Sequence, residues 1–336
     1  NRIDYAFSWE KKNVYIPWKK DEGGAKLLIG AVISGEEVRH FYKNNLDVPE
    51  KFIRYIENSL TLGEYLSGFS VLFFILFFSW SVYIVVRKKY DVITQVSKKW
   101  FISLFFFLIA LHTASVVNNI DMLIAAYPTS VRLQSYIGLA TMKFVISMIF
   151  LSVAFIFPGI AGESLRAEVL PENKYSGFWH FLRSSFYSRS VASAIFLGYL
   201  LFFMLIGLQA VMFFFGQKYL GVWKEWITLT HLSSTTVPFF SACAVGVFAS
   251  LNEEIVFRLF GMSWAQKCFR NAALTIILPA LIWGFGHASY PVFPAWFRGI
   301  EVTIIGIVYG IIFIRYGLIP LIVTHYLFDV FWGVAA

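Results

Sequence analysis

Leu66 to Val86 is an uncharged, largely apolar run that ends at three consecutive cations, Arg87, Lys88 and Lys89. A stretch of about twenty such residues is the length that a helix needs to cross the hydrocarbon of a bilayer, where backbone polar groups have no partners but one another. Seven more runs follow, at about 100 to 117, 137 to 158, 191 to 215, 237 to 265, 272 to 288, 299 to 315 and 318 to 335. Composition agrees: 58% of residues are hydrophobic and only 14% charged, where soluble domains carry about 25% charged residues. The expected fold is all-α, a polytopic membrane helical bundle of about eight spans.

Residues 1 to 62 differ from everything after them. They are polar and hold 10 of the 28 Lys and Arg residues. They read as a small N-terminal extramembrane α/β piece, part of a larger domain. A strand-like run, KLLIGAVI, precedes Gly35, a helical pattern follows in EEVRHFYKNN, and another comes after Pro49 in EKFIRYIENSL. His40 falls on the first of those helical patterns and reads as solvated surface. The chain begins at Asn1 and ends in an apolar run, as a fragment of a longer protein would.

Alternating the loops between the two sides of a membrane places twelve Lys and Arg residues on one side and four on the other. By the positive-inside rule the richer side is cytoplasmic, so residues 1 to 62 and the C-terminal end lie outside a cell membrane, a bacterial one by expectation. Residues 63 to 190 then form the N-terminal transmembrane helices and a cytoplasmic loop. In that loop Phe178, Trp179, Phe181, Phe186 and Tyr187, among basic residues, suggest a helix lying in the interface. The net charge of +8 suits anionic lipid heads and not nucleic acid, since no basic face is set apart from the spans. Two cysteines, Cys243 and Cys268, exclude a disulfide framework and a CxxC metal knuckle.

Within 191 to 336 a few polar residues break the apolar pattern. In Leu251 to Arg258, LNEEIVFR, two glutamates stand inside a span, where ionisable groups are costly and usually functional. On a helix Glu254 and Arg258 face each other, four residues apart, while Glu253 points about 100° away with no local partner. A carboxylate so placed is suited to general acid or base work. Trp283 precedes His287 by one turn, and His325 shares a face with Asp329. Glu253 lies 18 residues before the turn at Asn271 and His287 lies 16 after it, so both sit about 24 to 27 Å from that turn and meet at one depth. His325, counted from Gly317, lies only about 12 Å in and fits less well. Gly284, Gly286, Gly306 and Gly310 read as helix-packing residues, and His112 as structural. His180 and His231 fall in loops.

The order EExxxR (Glu253, Glu254, Arg258), aromatic-xxx-His (Trp283, His287) and HxxxD (His325, Asp329) resembles the CAAX protease and bacteriocin-processing family. These are intramembrane proteases that include the Ras-converting prenyl-protein endopeptidases. The resemblance covers about 190 to 335 and makes 191 to 336 a CAAX-protease-like catalytic transmembrane core. It implies an intramembrane endopeptidase in which Glu253, helped by His287, activates a water, while His325 and residue 329 stabilise the oxyanion. Trp283 stands where the family usually has Phe, a change of bulk, and an ionised Asp329 cannot donate to an oxyanion as Asn can.

The expected partners are membrane lipids and a membrane-associated peptide or protein. No cofactor is needed for a glutamate mechanism. Glu253, His287, His325 and Asp329 are also a plausible zinc set, and the sequence leaves both routes open. Two other classes remain: a catalytically inactive membrane-protein binding partner, or a proton or solute transporter built on the buried Glu/His cluster.

Overall fold

The computed structural model describes residues 3–18, 23–87, 98–128, 130–169, 178, 185–225 and 234–335. The basic loop at 88–97, most of the expected interfacial stretch, His180 and His231 lie outside the described residues. The chain divides into two compact units, Asn1–Leu62 and Gly63–Ala336.

The first unit holds a three-stranded antiparallel sheet, β1 (Asp4–Pro17), β2 (Gly24–Ser34) and β3 (Glu37–Asp47), in that order. Gly35, at φ 64°, opens the turn between β2 and β3, where Ser34 pairs with Glu37. Glycine suits the first central position of a two-residue hairpin turn because it adopts positive φ without steric cost. EEVRHFYKNN, expected as helix, is therefore largely strand β3, and His40 lies on a strand opposite Val32. The helix-like spacing of Val38, Phe41 and Leu46 is absorbed by irregularities in the β2–β3 register, between Leu28 and Gly30 and between Val32 and Ile33. A bulge of this kind resets which face a side chain meets, so a sequence without strict alternation can still pair. The helical pattern after Pro49 is the start of helix α1 (Glu50–Arg87), which is continuous with the first expected span.

The second unit is an all-α membrane bundle. Among the described residues five helices are long and apolar enough to cross a membrane by length and composition, and three shorter apolar helices accompany them. After α1 come α2 (Lys98–Asn118), α3 (Ile120–Ala125), α4 (Leu133–Val169) and α5 (Arg189–Phe215). Helix α6 (Pro238–Glu253) continues without a break into a π-helical segment (Glu254–Met262) and then α7 (Ser263–Phe269). Helices α8 (Ala272–Phe285), α9 (Ala295–Tyr316) and α10 (Ile319–Ala335) complete the bundle. A short β4 (Trp223–Lys224) pairs with β5 (Val292–Phe293), tying the chain after α5 to the α8–α9 connection.

The π segment is buried from end to end. Ile255, Val256, Leu259 and Phe260 join the main core with Phe77, Phe155 and Leu165, so α1, α4 and the π segment close around one another. Helices α8 and α9 approach closely at Gly284, where a Cβ would stand 2.1 Å from Thr303 Oγ1 and 2.6 Å from the Thr303 backbone nitrogen. The glycine is there because only a hydrogen fits. Gly284→Ala is expected to force the helices apart and cost about 1–3 kcal/mol, read as a lower thermal unfolding midpoint in detergent.

Candidate active site

Glu253 is the last residue of α6, and Glu254 opens the π segment. Widened π turns inside α-helices occur frequently at functional sites. Glu254 is wholly buried and Arg258 is 2% exposed, and Arg258 Nη1 donates to Glu254 Oε1 at 3.1 Å, the pairing expected from their spacing. The Arg258 guanidinium also lies 4.0 Å from the Trp283 ring and 5.0 Å from the Tyr309 ring. Its charge is thereby met by a carboxylate and two aromatic faces, which is how an arginine is tolerated in a dry interior.

Glu253 keeps 29% of its side chain exposed, unlike its neighbour. Its Oε2 accepts a hydrogen bond from Trp283 Nε1. His287 Nε2 stands 3.8 Å from that oxygen and His325 Nε2 3.9 Å from it. The two histidines are held differently. His287 Nδ1 lies 2.9 Å from the Trp283 backbone oxygen, and because a carbonyl only accepts, Nδ1 carries the hydrogen and Nε2 of the neutral ring is an acceptor facing the carboxylate. His325 Nδ1 lies 2.8 Å from Glu254 Oε1, and its Nε2 lies 3.5 Å from Asp329 Oδ2. Glu254 thus braces both Arg258 and His325.

Glu253, Trp283, His287, His325 and Asp329 all line one cavity of about 490 Å³ whose other walls are largely apolar, among them Leu205, Phe213, Val302, Ile305 and Phe331. All the acids and histidines singled out in the sequence therefore converge, Glu254 and Arg258 standing directly behind the cavity wall. His325, which the residue count from Gly317 set at another depth, lies beside Glu253. Counting from two different turns assumes that both lie at one level, and the 3.9 Å separation shows that they do not.

Residues not singled out in the sequence complete the walls. Arg298 Nη1 donates to Glu301 Oε2 at 2.7 Å, and Gln209 Nε2 donates to Glu301 Oε1 at 2.6 Å. Glu301 is fully buried, so this cluster joins α5 to α9 beside the cavity. Arg298 is thus a wall residue. The visible signal was the acid three residues after the arginine in RGIE, one helical turn apart. Tyr290 and Tyr309, also in the lining, carry no comparable spacing signal.

Among the described residues no three His, Cys, Asp or Glu side chains are grouped to hold a metal ion. Glu253 Oε2 is engaged by the indole and stands 3.8 and 3.9 Å from the two imidazoles, and no step below runs through a metal.

Residues 234–331 match the family described as type II CAAX prenyl endopeptidase Rce1-like. The chain is also similar to the sporulation-killing factor biosynthesis protein SkfC of Bacillus subtilis (strain 168), 24% identical over 128 residues. That alignment covers 36% of this chain and 25% of the length of SkfC. No solved structure matches. Glu253, Glu254, His287, His325 and Asp329 all lie within 234–331, the stretch over which the chain is similar to the Rce1-like family.

Proposed function

We propose that the protein is an intramembrane endopeptidase that hydrolyses peptide bonds of membrane-associated proteins or peptides with a water activated by Glu253. The observation that carries this reading is the placement of His287 Nε2 3.8 Å from Glu253 Oε2 at the cavity wall. A gap of that width is too long for a direct hydrogen bond and admits one water beside both acceptors. Such a water gives one hydrogen to the carboxylate and one to the imidazole, and its lone pair is left to attack the scissile carbonyl. Glu253 takes the proton as the bond forms and delivers it to the departing amine. His325, held through Nδ1 by Glu254, turns Nε2 to the same space, and a hydrogen there serves the developing oxyanion. Asp329, an acceptor when ionised, orients His325 in this scheme.

Two quenched fluorogenic peptides, one ending in a farnesylated CAAX sequence and one identical but unprenylated, test the reading with the protein in liposomes. The wild type is expected to cut at least one, and the Glu253→Gln variant neither. His325→Ala is expected to lower kcat by about 10²–10³-fold. Cleavage of neither peptide by the wild type overturns the peptidase reading and leaves the cavity to a binding or proton-relay role.

A further inference from the structure

The aromatic position of the second motif carries more than bulk. Trp283 is 5% exposed and is the hub of the site. Its ring stacks on Tyr309 at 5.8 Å and 23°, takes the Arg258 guanidinium at 4.0 Å, and meets His287 and His325 edge-on at 5.4 and 5.8 Å. A phenylalanine would keep most of those contacts. What only tryptophan adds is an N–H, a donor with no acceptor capacity, which must find a partner when buried. It finds Glu253 Oε2. Among the described residues this is the one side-chain hydrogen bond to the Glu253 carboxylate, since both imidazole nitrogens stand beyond hydrogen-bond range.

We infer that Trp283 is a positioning residue for Glu253: the indole N–H pins Oε2 and fixes the plane of the carboxylate beside the water that it shares with His287 Nε2. The inference rests on the peptidase reading and deepens it. With the N–H removed, no other side chain among the described residues is hydrogen-bonded to the carboxylate to restrain its rotation about the last side-chain bond. The stacking partners and the cavity wall stay in place, so the binding of peptide is untouched. A carboxylate that wanders from its productive plane is a worse base although it is still present.

The test is Trp283→Phe in the full-length protein in liposomes, with the two peptides already named. Expected is a fall of about tenfold in kcat with KM within about twofold of wild type, and an unchanged unfolding midpoint. A packing defect would instead lower the midpoint or shift KM. A substrate-independent arm uses ultraviolet resonance Raman spectra, in which wild type minus Trp283→Phe isolates the Trp283 indole band. That band is expected at the frequency of a hydrogen-bonded N–H and shifted to that of a non-bonded N–H in Glu253→Leu. Turnover by Trp283→Phe at the wild-type kcat, or a Trp283 band unmoved in Glu253→Leu, overturns the inference and leaves the peptidase reading standing. Failure of the wild type to cut either peptide removes the peptidase reading and this inference together.

Discussion

Glu253→Gln is expected to lower kcat by about 10²–10⁴-fold, the range that a positioned general base supplies, with little change in KM or in the unfolding midpoint. Glutamine has the same shape, and its amide oxygen still accepts the Trp283 N–H, so the local packing survives. What disappears is the ability to take a proton from water. Glu253 is 29% exposed at the cavity wall, so the neutral amide there strands no buried charge. The measurement is kcat and KM on the two fluorogenic peptides, with thermal unfolding as the control. A binding protein or a transporter built on the same cavity would show no peptide cleavage for this substitution to remove.

The second large effect is on stability. Arg258→Leu leaves Glu254 fully buried with its counter-ion gone. Glu254 Oε2 is already without a hydrogen-bond partner among the described residues, and Oε1 would retain only His325. Removing one member of a buried pair costs about 3–5 kcal/mol, because the remaining charge must stay in a dry interior. We expect the variant to unfold at markedly lower denaturant than wild type or to fail to accumulate in membranes. Replacing both members by leucine is expected to recover most of the loss, since an apolar pair of similar volume is often neutral there. The double variant remains poorly active, because His325 loses the carboxylate that holds Nδ1. Denaturant midpoints for the three proteins, beside their kcat values, separate the stability role of Glu254 and Arg258 from the service that Glu254 gives to His325.

The helices could be read from the chain because a bilayer demands long apolar runs, a signal that depends little on tertiary detail. The Glu254–Arg258 pair could be read because four residues on one helix fix a contact by themselves, and the π segment preserves it. Glu253 and His287 could be brought together because they flank a single turn. His325 could not, since its depth depends on how a second helical hairpin is shifted against the first. Strand β3 reads as helix in the sequence for a related reason: its apolar spacing is helical, and pairing with β2 through two register irregularities overrides that spacing. The hydrogen bond from Trp283 to Glu253 was beyond the sequence as well. An aromatic residue one turn before a histidine reveals the ring, while the direction of its N–H is set by an acid 30 residues earlier on another helix.

A single turnover in ¹⁸O-labelled water distinguishes a Glu253 that activates water from a Glu253 that itself attacks the peptide carbonyl. Water activation is expected to place one ¹⁸O atom in the new carboxylate of the cleaved peptide and none in the Glu253 side chain, read by mass spectrometry of the digested protein. Label appearing in the Glu253 carboxylate would mark an acyl intermediate on that residue and overturn its role as the base.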